Sequence, residues 1–315
     1  MDNKYKFNIE ITNKCIIGCS GCPRTWFKKQ FPKVKQIQEM DIDVLCNFLE
    51  GITEEVHFEG NTGDSIYHSK FLELVKRIKN MQIRVQITTN ASGKRESFWQ
   101  NLVEILSPTD EIEFSIDGLE DTNHLYRVNS KWPTVLRALK IVGSSGVRSV
   151  WKFIVFKHNE HQIEEAKTMA KSLGIDKFRI ITSIKGFDPN YDKNLMPSEK
   201  YRSTEENTRS LIMEGKAPEK MSPQCLKHGK VKDFIFISVF GDFYPCCYIG
   251  TYLIAYKTMW NPRNKKYNIK NKKIKDILTD KDVVNFYEST KRLETANNYC
   301  KILSKWNTAE VLSIF

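Results

Sequence analysis

Between residues 6 and 182, short β-like runs alternate strictly with amphipathic helical stretches, and this alternation narrows the fold more than any other feature. Strands are expected over 6–11, 55–59, 82–88, 111–116, 150–156 and 177–182. Helices are expected over 41–49, 70–79, 98–106, 134–142 and 163–173, the last stopped by Gly174. Strand and helix in strict succession require crossover connections, which make the sheet parallel. Within the strands, Phe7, Ile9 and Ile11 alternate with Asn8, Glu10 and Thr12, and Val56 and Phe58 alternate with His57 and Glu59. The third and fourth repeat this, with Ile83, Val85 and Ile87 against Arg84 and Gln86, then Ile112, Phe114 and Ile116 against Glu113, Ser115 and Asp117. A flat parallel sheet covered on both faces by helices reads as apolar throughout. A polar second face predicts instead a curved sheet, a partial barrel whose concave side holds a ligand rather than core side chains.

After residue 182 the pattern changes. Residues 183–222 are polar, with a helical-looking stretch over 198–214 that is expected to bridge out of the barrel. Residues 234–239 and 243–248, joined through Gly241 and Asp242, read as a β-hairpin, and a helix near 274–278 precedes a terminal helix. The expected organisation is a core over 1–185, a helical bridge over 186–222 and a small α+β domain over 223–315. The N-terminal residues carry neither a signal-peptide nor a transit pattern, and no run of about 18 uncharged apolar residues occurs, so residence in the cytoplasm without membrane association is expected. In that compartment the eight cysteines are expected to be reduced thiols, and reduced thiols in clusters point to metal. The formal net charge of +11 favours an anionic partner, although much of it sits in the lysine-rich 265–275 stretch, which reads as a solvated loop.

Cys15, Cys19 and Cys22 stand with three and then two residues between them, directly after the first strand. That places them at the carboxyl end of a barrel strand, where ligand chemistry collects in parallel α/β folds. Three thiolates on a four-iron, four-sulfur cluster leave one iron open, whereas electron-transfer clusters take four. A zinc site completed by His57 is the competing reading of the residues alone.

The cysteine spacing is similar to that of the radical S-adenosylmethionine (SAM) superfamily, and further motifs continue the resemblance. FEGNTGDSIYH follows the second strand, ITTN ends the third, and FSIDGLEDTNHLYRVN spans the fourth and its loop. The resemblance implies a partial (β/α)6 TIM-like barrel and a [4Fe-4S] cluster on Cys15, Cys19 and Cys22. It also implies SAM held at the open iron, a 5′-deoxyadenosyl radical that abstracts hydrogen from a substrate, and a one-electron reductant such as flavodoxin or ferredoxin. By position in the matched motifs, Gly60 and Asn61 meet the SAM amino group, with Asp64 in place of the family's glutamate. Asn90, Ser115, Asp117 and Asn159 line the cofactor, Ser115 toward the ribose, and Arg127 meets the SAM carboxylate. Gly21 stands before the third cysteine where the superfamily commonly has an aromatic residue, so adenine stacking must come from elsewhere.

A second cysteine group extends the resemblance to the twitch domain, a shortened SPASM domain. Cys225, Gly241 and Cys246 are spaced C-x15-G-x4-C, and Cys300 resembles the later ligand. The resemblance implies an auxiliary [4Fe-4S] cluster on these cysteines, with Cys247, His228 or a substrate atom as the fourth ligand and Ser304 standing where a further cysteine is usual. A zinc knuckle is the alternative. Cys46, on a helical stretch, reads as a core thiol. The function expected is hydrogen abstraction from a small polar substrate, a sugar or nucleotide derivative, or from a peptide. Two alternatives stay open: a zinc-bearing nucleic-acid-binding protein using Tyr256, Trp260, Arg263, Lys265, Lys266 and Tyr267, and a radical SAM enzyme that modifies RNA. His158 is a candidate for proton transfer, and His161 reads as the start of a helix.

Overall fold

A computed structural model describes residues 4–22, 24–25, 37–60, 62–182, 197–201, 235–245, 266–289 and 313–314. The first half follows the expected alternation: β1 (Tyr5–Ile9), α1 (Ile42–Leu49), β2 (Thr53–Phe58), α2 (Phe71–Asn80), β3 (Arg84–Thr89) and α3 (Glu96–Ile105). It continues through β4 (Glu111–Ser115), the short α4 (Asn123–Tyr126), α5 (Trp132–Gly143), β5 (Arg148–Val155), α6 (Ile163–Ser172) and β6 (Lys177–Thr182). Strands β1 to β6 stand side by side in chain order, each parallel to the next. Element ends lie within two residues of the sequence reading. At the start of α1, for example, Asp41 lies outside the helix and caps it, its carboxylate accepting from the Asp43 amide at 2.8 Å. His161 falls, as read, in a short 3-10 turn leading into α6.

The two faces of the sheet separate as the alternation demands. Phe7, Ile9, Val56, Phe58, Val85, Ile87, Ile112, Phe114, Trp151, Phe153, Val155 and Phe178 point one way. There they meet Leu45 and Leu49 of α1, Leu74 and Ile78 of α2, Trp99 and Leu102 of α3, Val135 and Leu139 of α5, and Ala166 and Ala170 of α6 in one continuous core. Cys46 belongs to that core, as expected, with 1% of its surface exposed. At roughly 1.5–3 kcal/mol per buried large apolar side chain, this one-sided burial supplies the driving force for folding. The opposite face carries Glu55, His57, Arg84, Gln86, Thr88, Glu111, Glu113, Lys152 and Arg179, and their mutual bonds run from strand to strand. A parallel sheet that leaves one face polar is the partial barrel read from the sequence.

The expected hairpin joins the sheet of the core. β7 (Ile235–Ile237) and β8 (Phe243–Tyr244) pair antiparallel, with Gly241 at φ +83° in the turn, but β7 also pairs parallel with β1. At the far side β9 (Ser313–Ile314) pairs antiparallel with β6, giving one nine-stranded sheet in the order β8-β7-β1-β2-β3-β4-β5-β6-β9. Each edge of the six-stranded core is thereby covered over part of its length, which shortens the open ladders that could recruit other chains. The helices α7 (Ile274–Leu278) and α8 (Lys281–Ser289) follow the hairpin, and Ile274, Ile277 and Val283 join the main core. Of the 198–214 stretch, Glu199–Tyr201 forms one 3-10 turn and residues 202–214 lie outside the described residues. Among the described residues, no helix is long and apolar enough to cross a membrane.

Candidate functional site

The cysteine loop leaves β1 at the carboxyl end of the sheet and is held from several directions. The Gly18 amide donates to the Val128 carbonyl at 2.8 Å, the Cys22 amide to the Cys19 carbonyl at 3.1 Å, and the buried Arg24 guanidinium to the Ile17 carbonyl. Cys15 and Cys22 are half-buried and Cys19 is buried, in a small apolar cluster with Ile17, Tyr126, Phe156 and Ile154. Burial, with the neighbouring Asp64 carboxylate, pushes the Cys15 thiol up to about 12. A thiol so placed becomes a thiolate only against positive charge brought directly to its sulfur, as metal coordination does.

The geometry also bears on which metal. Among the described residues, no three or more His, Cys, Asp or Glu side chains converge on a point that one ion could occupy. Tetrahedral zinc needs its thiolates about 2.3 Å from a common centre, whereas a cubane cluster takes one thiolate on each of several separate irons. Three clustered cysteine thiols are the kind of donor set that an iron–sulfur cluster takes. His57, the fourth ligand of the zinc reading, has its Nε2 on the Thr88 hydroxyl at 2.8 Å, and that hydroxyl donates onward to Glu113 at 3.1 Å. With its single proton used there, Thr88 must accept from His57.

The loop after β2 packs on this loop through Gly63 and is closed tightly on itself at Gly60. A Cβ on Gly63 would fall 1.9 Å from the Thr12 carbonyl oxygen, and one on Gly60 would fall 2.1 Å from the Gly63 carbonyl oxygen, so both positions exclude any larger residue. Neither has a positive φ, so the constraint is closeness of backbone rather than a left-handed turn. Glu10, from the segment after β1, accepts from the Thr62 hydroxyl at 2.7 Å and the Gly63 amide at 3.2 Å, and only 2% of its surface is exposed. Nothing in the sequence singled Glu10 out beyond its place on the polar register, because its partners are fifty residues away. Asn61 lies outside the described residues.

Asp64 is buried and turned inward. One oxygen accepts from the Thr89 hydroxyl at 3.0 Å and the Asn90 amide at 2.8 Å, and the other caps the following turn at Ile66. Desolvation pushes its carboxyl up to about 6, against the pull of those hydrogen bonds. The Asn90 side-chain amide bonds to Asp64 and approaches the Cys15 sulfur at 3.5 Å. Asp64 thus ties the end of β3 to the cysteine loop, with both carboxylate oxygens engaged inside the protein.

A second buried pair stands across the site. The Arg127 Nε donates to Asp117 Oδ2 at 2.6 Å, its Nη1 points to the Cys19 sulfur at 3.8 Å, and its guanidinium lies over the Tyr126 ring, 5.5 Å from the centroid. Burial works against this cation, but Asp117 and Cys19 together hold its pKa above the ordinary arginine value. Asp117 Oδ1 accepts from the Ile154 amide at 2.7 Å, so both carboxylate oxygens are engaged inside the protein. Asn159 is fully buried: its oxygen accepts from the Phe156 amide at 2.7 Å, while its amide donates to the Asp117 carbonyl at 3.0 Å and the Ile154 carbonyl at 2.9 Å. Ser115, at the end of β4, is half-buried, and its hydroxyl has no partner among the described residues.

His158 stacks on Phe156 with ring centroids 5.4 Å apart and an interplanar angle of 10°, and Phe156 contacts Tyr126 at 4.4 Å. Both ring nitrogens of His158 are buried without a hydrogen-bond partner, and desolvation lowers its pKa. A buried imidazole with both nitrogens unpartnered calls for a partner beyond the described residues, such as an ordered water or a bound ligand. Cys225, Cys246, Cys247, Cys300 and His228 lie outside the described residues, as do Tyr256, Trp260, Arg263 and Lys265. At the described end of the basic stretch, Lys266 pairs with Asp280 and Asp282, and Tyr267 is 7% exposed with its hydroxyl on Asp280. Neither presents a free basic or aromatic face.

The model of the radical SAM superfamily matches residues 9–173, just over half of the chain. A tungsten-containing aldehyde ferredoxin oxidoreductase cofactor-modifying protein of Pyrococcus furiosus is 22% identical over 185 residues, which cover 55% of this chain and 49% of that protein, about half its length. Among solved structures, Streptococcus suis SuiB bound to S-adenosylmethionine superimposes with a TM-score of 0.62 at 15% identity, over 92% of this chain and 68% of that one. SuiB bound to its precursor peptide SuiA gives 0.61. The protein anSMEcpe with bound AdoMet gives 0.61 at 14% identity, over 95% of this chain and 88% of that one. At such identities the likeness to the solved structures is one of fold.

Proposed function

The chain belongs to the radical SAM superfamily, and on that premise we propose that it abstracts a hydrogen atom from a small polar substrate or a peptide, with an auxiliary iron–sulfur cluster assisting oxidation or anchoring the substrate. When bound, a [4Fe-4S] cluster and SAM together supply the 5′-deoxyadenosyl radical for that abstraction. The observation that carries the reading is the packing of Cys15, Cys19 and Cys22 in one small cluster at the carboxyl end of the sheet, with Asn90 and Arg127 directed at two of their sulfurs.

In this reading the three thiolates hold the cluster, and the Asn90 amide and Arg127 guanidinium donate toward coordinated sulfur, which stabilises the added negative charge of the reduced state. Gly60, Gly63 and Asn61 shape the edge that receives the SAM amino group. Ser115, with its hydroxyl unpartnered, faces the ribose, and the Phe156–His158 stack with the orphaned imidazole receives the adenine that Gly21 cannot stack on. Because their polar atoms are engaged internally, Asp64, Asp117 and Asn159 act as positioning residues: Asp64 sets Asn90, Asp117 sets Arg127, and Asn159 sets the loop that carries Phe156 and His158. Arg127 retains donors beyond Nε for the SAM carboxylate. Cys225, Cys246 and Cys300, with Cys247, His228 or substrate as fourth ligand, would hold the auxiliary cluster of a twitch-like domain. A flavodoxin or ferredoxin would supply the electron.

The test is iron and acid-labile sulfide per chain after anaerobic reconstitution, with 5′-deoxyadenosine formation from SAM and a strong reductant. About eight irons in the wild type and about four in the Cys15→Ala/Cys19→Ala/Cys22→Ala protein, which forms no nucleoside, is the expected result. Zinc without labile sulfide and no 5′-deoxyadenosine overturns it.

A further inference from the structure

On the polar face of the sheet, level with Ser115, its register partner Lys152 of β5 is in turn the direct register partner of Arg179 of β6. Both reach the same carboxylate: Lys152 Nζ lies 2.7 Å from Glu113 Oε1, and an Arg179 terminal nitrogen lies 2.9 Å from Glu113 Oε2. Glu113 also accepts from Thr88, which is bonded to His57, so β2 to β6 all contribute to the cluster. The Glu113 side chain is only 3% exposed, whereas Lys152 and Arg179 retain 21% and 33%. Desolvation disfavours the Glu113 charge, but Lys152 and Arg179 outweigh it and hold the pKa below the ordinary value, so the carboxylate stays ionised.

One carboxylate thus faces two cations. Neither Lys152 nor Arg179 has any other hydrogen-bond or ion-pair partner among the described residues, so several of their N–H donors are unused. Toward the amino ends the charges are matched: Lys6, Arg84 and Arg148 face Glu54, Glu55 and Glu111. One step up β2, Glu59 lies 3.9 Å from His57, a pair that is charge-matched only when the imidazole is protonated. A partly buried surplus cation is costly unless an anion completes it, and a guanidinium beside an ammonium suits an oxyanion. The geometry points to Lys152 and Arg179, braced by Glu113, as the subsite that takes a carboxylate or phosphate group of the substrate. This inference rests on the reading of the concave face as the substrate side of a radical SAM enzyme, and it narrows the substrate to one bearing an anionic group.

The test is binding to the reconstituted protein without reductant, using methyl phosphate followed by 31P line broadening and 13C-labelled acetate followed by 13C. One saturable site per chain is expected. Arg179→Gln should weaken it by about tenfold or more, the loss of a charge-assisted hydrogen bond, and Arg77→Gln on the outer face of α2 should leave it unchanged. Glu113→Gln should tighten it by about tenfold because a competing carboxylate is gone, a gain that general loosening of the fold would not produce. Preference for methyl phosphate assigns a phosphate ester, and preference for acetate a carboxylate. Absence of a saturable site for either anion, or weaker rather than tighter binding in Glu113→Gln, overturns the inference. No step needs SAM cleavage, so failure here with 5′-deoxyadenosine still formed sinks the subsite alone, and anion binding without nucleoside formation sinks the enzymatic reading alone.

Discussion

The two rims of the barrel are both lined with charge, yet they use it differently. At the carboxyl rim Glu10, Asp64 and Asp117 are buried, and each satisfies several donors from segments far apart in the chain. On the outside and toward the amino rim the pairs Arg77–Asp43, Arg84–Glu55 and Arg148–Glu111 are solvent-accessible and join neighbouring elements. Buried carboxylates with full complements of donors fix geometry, and their disruption leaves unsolvated charge. Exposed pairs are screened and gain little over their hydrated, separated forms. The difference teaches where rigidity is concentrated: around the cysteine loop and the ends of β3 and β4, rather than evenly through the sheet.

Asp117→Ala should sharpen this contrast most. It strands the Arg127 guanidinium beside Cys19 and removes the acceptor for the Ile154 amide, with an expected cost of about 3–5 kcal/mol in urea denaturation. Gly63→Ala comes next. The new Cβ would strike the Thr12 carbonyl, so a loss of about 1–3 kcal/mol and reduced iron incorporation at the first site are expected, whereas Gly18→Ala, with open space around it, should retain iron.

Asp110 tests whether a buried carboxylate away from the carboxyl rim behaves like those at it. Burial disfavours its charge, but bonds from Lys79, from the Ser107 and Val85 amides and from the Ser107 hydroxyl outweigh that and hold its pKa below 3.8. A pKa lowered by folding means that the unfolded chain binds the proton more tightly. The stabilisation is therefore fully present above the unfolded value and is lost as pH falls through the folded one. Asp110→Asn should cost about 1–2 kcal/mol at neutral pH and flatten the acid limb of the stability profile below about pH 4. The smallest effect is expected from Arg77→Gln, which breaks an exposed, solvent-screened pair and should leave stability nearly unchanged in urea denaturation. A loss there as large as that in Asp117→Ala would erase the distinction between inside and outside.

The parallel order of β1 to β6, the helices on one face and the polar barrel interior were all legible in the sequence, because strand alternation is a local property with period two and crossover helices leave few topologies. The cysteine loop was legible for the same reason: its spacing is local, and its place after a strand puts it at the carboxyl rim. The hairpin was read correctly as a hairpin, but its pairing with β1 was not, since no local pattern in 235–244 says which edge it will cover. Likewise the motif positions marked Asp64, Asp117 and Asn159 without revealing that their polar atoms are turned inward onto Asn90, Arg127 and the backbone of β5. Glu10 and the Glu113–Lys152–Arg179 cluster were legible only as polar positions on a strand face. By itself the sequence determined the elements, their faces and the thiols of the first site, because these follow from neighbours along the chain. Which carboxylate holds which donor, and where a cation is left over, depends on residues brought together from distant strands, and only the tertiary structure decided that.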